Sequence, residues 1–129
     1  MTVSDKYPWL DEYLLSKCGV HKDYKPEWDW TRYMIKDKML AAFCGEGTDD
    51  PLFTMKCEPD YNDAVRQLYP GIITEGYYMN KVHWNSVHVR YEVPEKLIRE
   101  MADRAYEIIL KGFSKKMQNE ILRENNKES

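Results

Sequence analysis

The sequence predicts an α+β domain: an antiparallel sheet of about five strands, packed by an N-terminal helix, a middle helix and a long C-terminal helix. Three observations lead there. Aromatic and β-branched stretches follow one another around Asp37 too closely for crossover connections, which disfavours parallel winding. Helical periodicities, each opened by a proline, bracket those stretches. A chain of 129 residues fits one domain and can bury one ordinary core without staples.

Taken in order, Pro8 suits the first turn of a helix, where its missing N–H costs nothing. Leu10, Tyr13, Leu14 and Cys18 follow with helical spacing, and Gly19 is a natural stop. From Glu27 the character changes: residues 28–35 favour a pleated surface. Lys36, Asp37 and Lys38 read as a turn and residues 39–44 as a second strand, making a hairpin. A polar loop over 45–50 leads to a third strand over 52–57. Pro59 opens a helix whose apolar line is Tyr61, Ala64, Val65 and Leu68. Tyr69, Pro70 and Gly71 end it. Residues 72–75 form a short extended piece and 83–91 a further strand. Pro94 starts the longest helix, with Leu97, Ile98, Met101, Ala105, Ile108 and Ile109 inward. Gly112 breaks it, and Ser114 caps a last helix carrying Met117, Ile121 and Leu122. The reading is a single domain over 1–123 and a frayed tail over 124–129.

Composition narrows the class. Hydrophobic residues make up 43%, charged residues 32% and aromatics 13%. That aromatic supply exceeds the needs of a core this size, so some rings belong on a surface. No apolar run approaches the roughly 18 residues of a membrane span, and residues 1–7 carry no secretory pattern. Cys18, Cys44 and Cys57 are odd in number and far apart, with no C-x-x-C pair, so neither a disulfide framework nor a zinc site is expected. Cys44 and Cys57 read as reduced core residues. A cytoplasmic protein without metal or cofactor is the expectation. The net charge of −3 is unevenly spread. Residues 1–75 hold nine Lys/Arg against fourteen Asp/Glu, whereas residues 76–91 hold Lys81, Arg90 and two His with no acid. Residues 111–127 hold five basic residues, Lys115 and Lys116 among them, against Glu120 and Glu124. An anionic partner would meet the second half of the chain.

Residues 76–91 combine aromatics, cations and amides. As a strand, His83, Asn85, Val87, Val89 and Tyr91 share one face and Trp84, Ser86, His88 and Arg90 the other. The face that begins at His83 is apolar in its later half and turns into the core; the face that begins at Trp84 turns outward. Trp84 is either a stacking platform or a ring packed under a helix. His83 is an acid–base group or a structural histidine. Asn80 reads a ligand edge or caps a turn, and Lys81 is an anion contact or merely solvated. Residues 76–85 are expected to turn their polar atoms towards an exposed concavity. His83 and His88 point opposite ways and cannot share a metal. No phosphate loop, Gly-x-Ser-x-Gly elbow or activated thiol is present, so an enzyme is not expected.

Tyr69-Pro70-Gly71, Gly76-Tyr77, Met79-Asn80-Lys81 and His83-Trp84-Asn85 resemble the MmcQ/YjbR family of small bacterial proteins. Met55-Lys56-Cys57, Val93-Pro94-Glu95, Ala105-Tyr106, Tyr7-Pro8 and Lys25-Pro26-Glu27-Trp28 extend the resemblance over roughly residues 7–118. Tyr78 departs from it, where members often carry His. The resemblance implies a frataxin-type (CyaY-like) double-wing fold and DNA binding.

Two functions therefore stand as expectations. One is a non-enzymatic DNA-binding protein, with Lys81, Arg90, Lys115 and Lys116 on phosphates and Trp84 or Tyr77 for stacking, within a surface that includes Asn80, His83 and Asn85. The other is a small-ligand or protein-interaction module with a pocket at residues 80–85. The chain is expected to be a monomer or homodimer with no membrane contact.

Overall fold

The computed structural model describes residues 2–76 and 79–123. A short helix α1 (Val3–Lys6) precedes α2 (Pro8–Leu15), which has Pro8 in its first turn and buries Leu10 and Leu14. Strands β1 (Val20–Lys25), β2 (Trp30–Ile35), β3 (Lys38–Cys44) and β4 (Leu52–Lys56) follow, then α3 (Pro59–Leu68), β5 (Ile73–Glu75), β6 (Trp84–His88), α4 (Glu95–Lys111) and α5 (Lys115–Arg123). The strands form one six-stranded sheet in the order β1-β2-β3-β4-β6-β5, antiparallel at every pairing.

The fold class is the one the sequence predicts, with six strands in place of about five. The extra one is β1, which buries only Val20 and is otherwise made of His21, Lys22, Asp23, Tyr24 and Lys25. A charged edge strand of this kind discourages pairing with other chains and leaves little hydrophobic signal. The hairpin at Asp37 is present: Ile35 pairs with Lys38, and Lys36 takes a positive φ of 51°. The register of β2 against β3 then slips between Tyr33 and Met34, passing over Leu40. That bulge lets Leu40 and Ala41 both join the main core, while Met39, Ala42 and Cys44 belong to the opposite side.

The helices lie on one side of the sheet. Ile98, Met101, Ala102, Ala105 and Ile109 of α4 pack over β3 and β4, whose inward residues include Phe43, Phe53 and Met55. Helix α5 adds Ile121, and Ser114 caps it by accepting from the Met117 N–H at 3.1 Å. Met117 packs partly buried against the core, whereas Leu122, the third apolar residue expected there, is exposed. Helix α3 departs from expectation as well. Ala64 and Leu68 face solvent, Leu68 at 72% exposure, while Asn62 is fully buried beside Val65. This helix covers only the β5–β6 edge, so it buries a narrow line, and a polar residue holds the middle of it. Strand β6 is shorter than predicted: His83 lies in the preceding turn, and Arg90 and Tyr91 lie beyond its end. No helix among the described residues is long and apolar enough to cross a membrane.

Candidate functional site

Strand alternation decides what the helix-free face carries. Because Asn85, Val87 and Val89 turn into the core, Ser86 and His88 turn to the other side, joined by Leu52 and Thr54 of β4 and Thr74 of β5. These residues floor a concavity of 910 Å³. Its walls are apolar, with Trp28 and Trp30 at one end and Met39 and Met79 at the other. The two indoles meet edge to face at 5.1 Å between centroids, and Trp30 packs on Ala42 and Cys44. The volume and lining fall within the range of small-molecule sites, about 300–1,000 Å³.

Polar groups gather on the β6 side of this floor. The Asp50 carboxylate accepts from Nδ1 of His88, 3.0 Å from each oxygen, and Nε2 lies 2.9 Å from the Thr74 hydroxyl. The 45–50 loop sets Asp50 in place. Gly45 adopts φ +65°, and a Cβ there would lie 2.9 Å from the Asp50 carbonyl, so glycine is required. Thr48 accepts from the Asp50 N–H at 3.2 Å and donates to the Gly45 carbonyl. Across the strands, Thr54, Ser86 and Thr74 stand in register as a row of hydroxyls. The described lining includes Glu27, Asp29, Asp50 and Glu75 and neither Lys nor Arg. Among the described residues no cluster of three or more His, Cys, Asp or Glu is placed to hold a metal.

The residues singled out from sequence mostly do something else. Asn80 caps its own turn, its side-chain oxygen accepting from the N–H groups of Val82 and His83 at 2.9 and 3.3 Å. Asn85 is fully buried. It donates to Asn62 Oδ1 at 2.8 Å and accepts from Arg66 Nε at 2.6 Å. Asn62 in turn donates to the carbonyls of Cys57 and Val82, and Arg66 to those of Lys81 and Trp84. This corrects the expectation that the polar atoms of 76–85 converge on a concavity: the Asn80 oxygen caps its own exposed turn, and the buried Asn85 amide turns inward to tie β6 to α3. Trp84 is only 8% exposed and lies on the helix-free side, not beneath a helix. Gly76 backs it so closely that a Cβ at Gly76 would lie 2.8 Å from the Trp84 Cβ. Lys81 is exposed, and the partly buried His83 contributes its carbonyl to the Cys57 N–H at 2.9 Å. Tyr77, and Tyr78 beside it, lie outside the described residues.

The cations proposed for phosphates do not come together. Lys81 precedes β6 and Arg90 follows it, so they flank opposite ends of the strand. Arg90 leans over Tyr91 and lies 3.9 Å from Asp50. Lys115 and Lys116 open α5, in the helical layer. Sequence reasoning placed Ser86 and His88 on the correct face but missed Asp50, Thr74 and the Trp28–Trp30 wall. The available signal was faint: a polar glycine loop before β4, and single hydroxyl residues at alternate positions of three strands.

Comparison with known proteins agrees with this architecture. The crystal structure of the Deinococcus radiodurans protein DR2400, a DUF419 domain, superposes with a TM-score of 0.80 at 22% identity, covering 90% of this chain and 87% of that one. A Pseudomonas syringae structure does so at 0.64 and 18% identity, covering 78% and 96%. In sequence, the Escherichia coli O157:H7 protein YbdF is 31% identical over 76% of this chain and 77% of its own length. YjbR of Escherichia coli K12 is 25% identical over 83% and 86%. The family model described as YjbR matches residues 15–108, and by that match the chain belongs to the YjbR family, as the Met79-to-Asn85 string foretold.

Proposed function

We propose that this chain is a non-enzymatic binding module whose site is the helix-free face of the sheet. The supporting observation is the 910 Å³ concavity itself, apolar along its walls with a few polar groups on its floor. A sheet face left uncovered by helices normally turns polar. Here Trp30, Met39, Cys44 and Leu52 keep it apolar, which favours occupation by a ligand. The pocket expected at residues 80–85 moves in this reading to the neighbouring strand face. DNA binding finds less support, because phosphate contacts require a contiguous cationic stripe. Lys81, Arg90, Lys115 and Lys116 sit at both ends of β6 and on the helical layer.

An amide-resolved NMR titration tests this. Small aromatic fragments are expected to shift the amides of Trp30, Cys44, Thr54, Thr74 and Ser86, whereas a short DNA duplex leaves them unmoved at both low and moderate salt. Duplex binding that weakens with salt and with Lys81→Ala, with no fragment shifting the sheet face, would replace this reading with the nucleic-acid one.

A further inference from the structure

We infer that the concavity takes an organic cation, a protonated amine or guanidinium carried on a flat apolar body. This rests on the proposed site and names the class of its ligand. No lysine or arginine is in the described lining. Of its four carboxylates, Glu27 faces the Lys25 ammonium at 3.5 Å and Asp50 the Arg90 guanidinium at 3.9 Å from outside, so the bias towards positive charge rests mainly on Asp29 and Glu75. Charge alone would not decide it. The hydrogen-bond polarity of the floor points the same way.

A carboxylate can only accept, so Asp50 requires the proton on Nδ1 of His88. The Thr74 hydroxyl has acceptors within the fold for its single proton, His88 Nε2 at 2.9 Å when that nitrogen carries none and the Glu75 carbonyl at 3.5 Å. With its proton so placed, Thr74 offers the cavity lone pairs only. Thr54 is in the same position, because its proton goes to the Asn85 carbonyl at 2.9 Å. Between them in the row stands Ser86, 2% exposed and lining the cavity, whose hydroxyl has no hydrogen-bond partner among the described residues. The floor thus presents two hydroxyls restricted to accepting and one uncommitted. A ligand satisfies it by bringing N–H donors. An incoming carboxylate or phosphate would meet acceptors below and like charge around it.

The walls suit the remainder of such a ligand. The Lys25 ammonium lies over one face of the Trp28 ring, 5.3 Å from its centroid, so the ring already accepts a cation in this fold. Trp30, Met39 and Met79 provide flat or adaptable apolar contact for an aromatic body.

Three probes that share one ring and differ only in charge make the test: tryptamine, 3-methylindole and indole-3-acetate, titrated into the full chain by amide-resolved NMR. Tryptamine is expected to shift Trp30, Thr74, Ser86 and His88 and to bind at least tenfold more tightly than indole-3-acetate. Thr74→Val, which keeps the shape and removes the acceptor, should weaken tryptamine about tenfold, the worth of one hydrogen bond to a charged group. If that variant loses its native spectrum, Ser86→Ala carries the same expectation of weakening. Indole-3-acetate binding this face as tightly as tryptamine would overturn the cation inference and leave the site standing. Failure of all three probes to move these amides would overturn the site itself, and the inference with it. Unchanged tryptamine affinity in a folded Thr74→Val would overturn the polarity argument.

Discussion

Replacing Asn85 by alanine tests whether the Met79-to-Asn85 string holds the fold together. The side chain is fully buried and makes two hydrogen bonds, to Asn62 at 2.8 Å and from Arg66 at 2.6 Å. Removing it leaves the Asn62 oxygen without a partner at a site that water does not reach, since Asn62 is also fully buried. An orphaned buried polar group costs about 1–3 kcal/mol, and bonds to charged donors sit at the upper end. Arg66 keeps its contacts to the Lys81 and Trp84 carbonyls, and its side chain is 18% exposed, so part of its loss is recovered from solvent. The expected total is about 3–4 kcal/mol, a large share of the roughly 5–15 kcal/mol that stabilises a typical domain. The melting temperature should fall by about 10–15 °C. Urea unfolding followed by tryptophan fluorescence should show the midpoint drop with an unchanged slope. Asn62→Ala should cost a similar amount. The double variant should cost about 1–2 kcal/mol less than the sum, because each single change already strands the other residue. A loss under about 1 kcal/mol for Asn85→Ala, or strict additivity of the pair, would refute the structural role assigned to these amides.

Three further outcomes follow from the packing and the charges. Gly76→Ala should destabilise by about 1–3 kcal/mol, the usual range for overpacking, because its new methyl meets the Trp84 Cβ at 2.8 Å; an unchanged near-ultraviolet dichroism spectrum and melting temperature would count against that contact. Burial pushes the thiols of Cys44 and Cys57 up to about 12, so a disulfide reagent at pH 8 should titrate Cys18 in the native protein and all three thiols only in denaturant. Burial raises the Asp11 carboxyl, but hydrogen bonds from Tyr33 and Lys22 outweigh it and hold it below its ordinary value. A folded-state value below the unfolded one means that its contribution is present above about pH 3.9 and is lost as pH falls through the lower folded value. Stability should therefore be flat near neutrality and fall in acid, with a shallower acid limb in Asp11→Asn; a limb as steep as that of the parent would exclude Asp11 as a contributor.

The local reading of the chain reached far where the signal lies within a few residues. Proline placed the starts of α2 and α3, the Lys36–Asp37 turn placed the hairpin, and the parity of β6 separated Asn85 and Val87 from Ser86 and His88. It failed where an element touches the rest of the molecule lightly. Strand β1 has one buried residue and so no hydrophobic alternation to read. Helix α3 has apolar residues on both sides, and only its seat at the β5–β6 edge decides that Asn62 turns in and Leu68 turns out.

The sequence by itself determined an α+β chain, its hairpin, its long helix and the family string, because each depends on neighbours along the backbone. Tertiary structure alone decided which sheet face the helices leave open, and hence where a ligand can sit. It also decided that the amides of the string close the fold while Asp50, Thr74 and His88 meet on that open face. Asp50 and His88 are 38 positions apart, and Thr74 and His88 are 14 apart. No periodicity links such positions. They meet because β4, β5 and β6 are brought side by side in an order the chain does not follow, and pairing across strands ignores distance along the sequence.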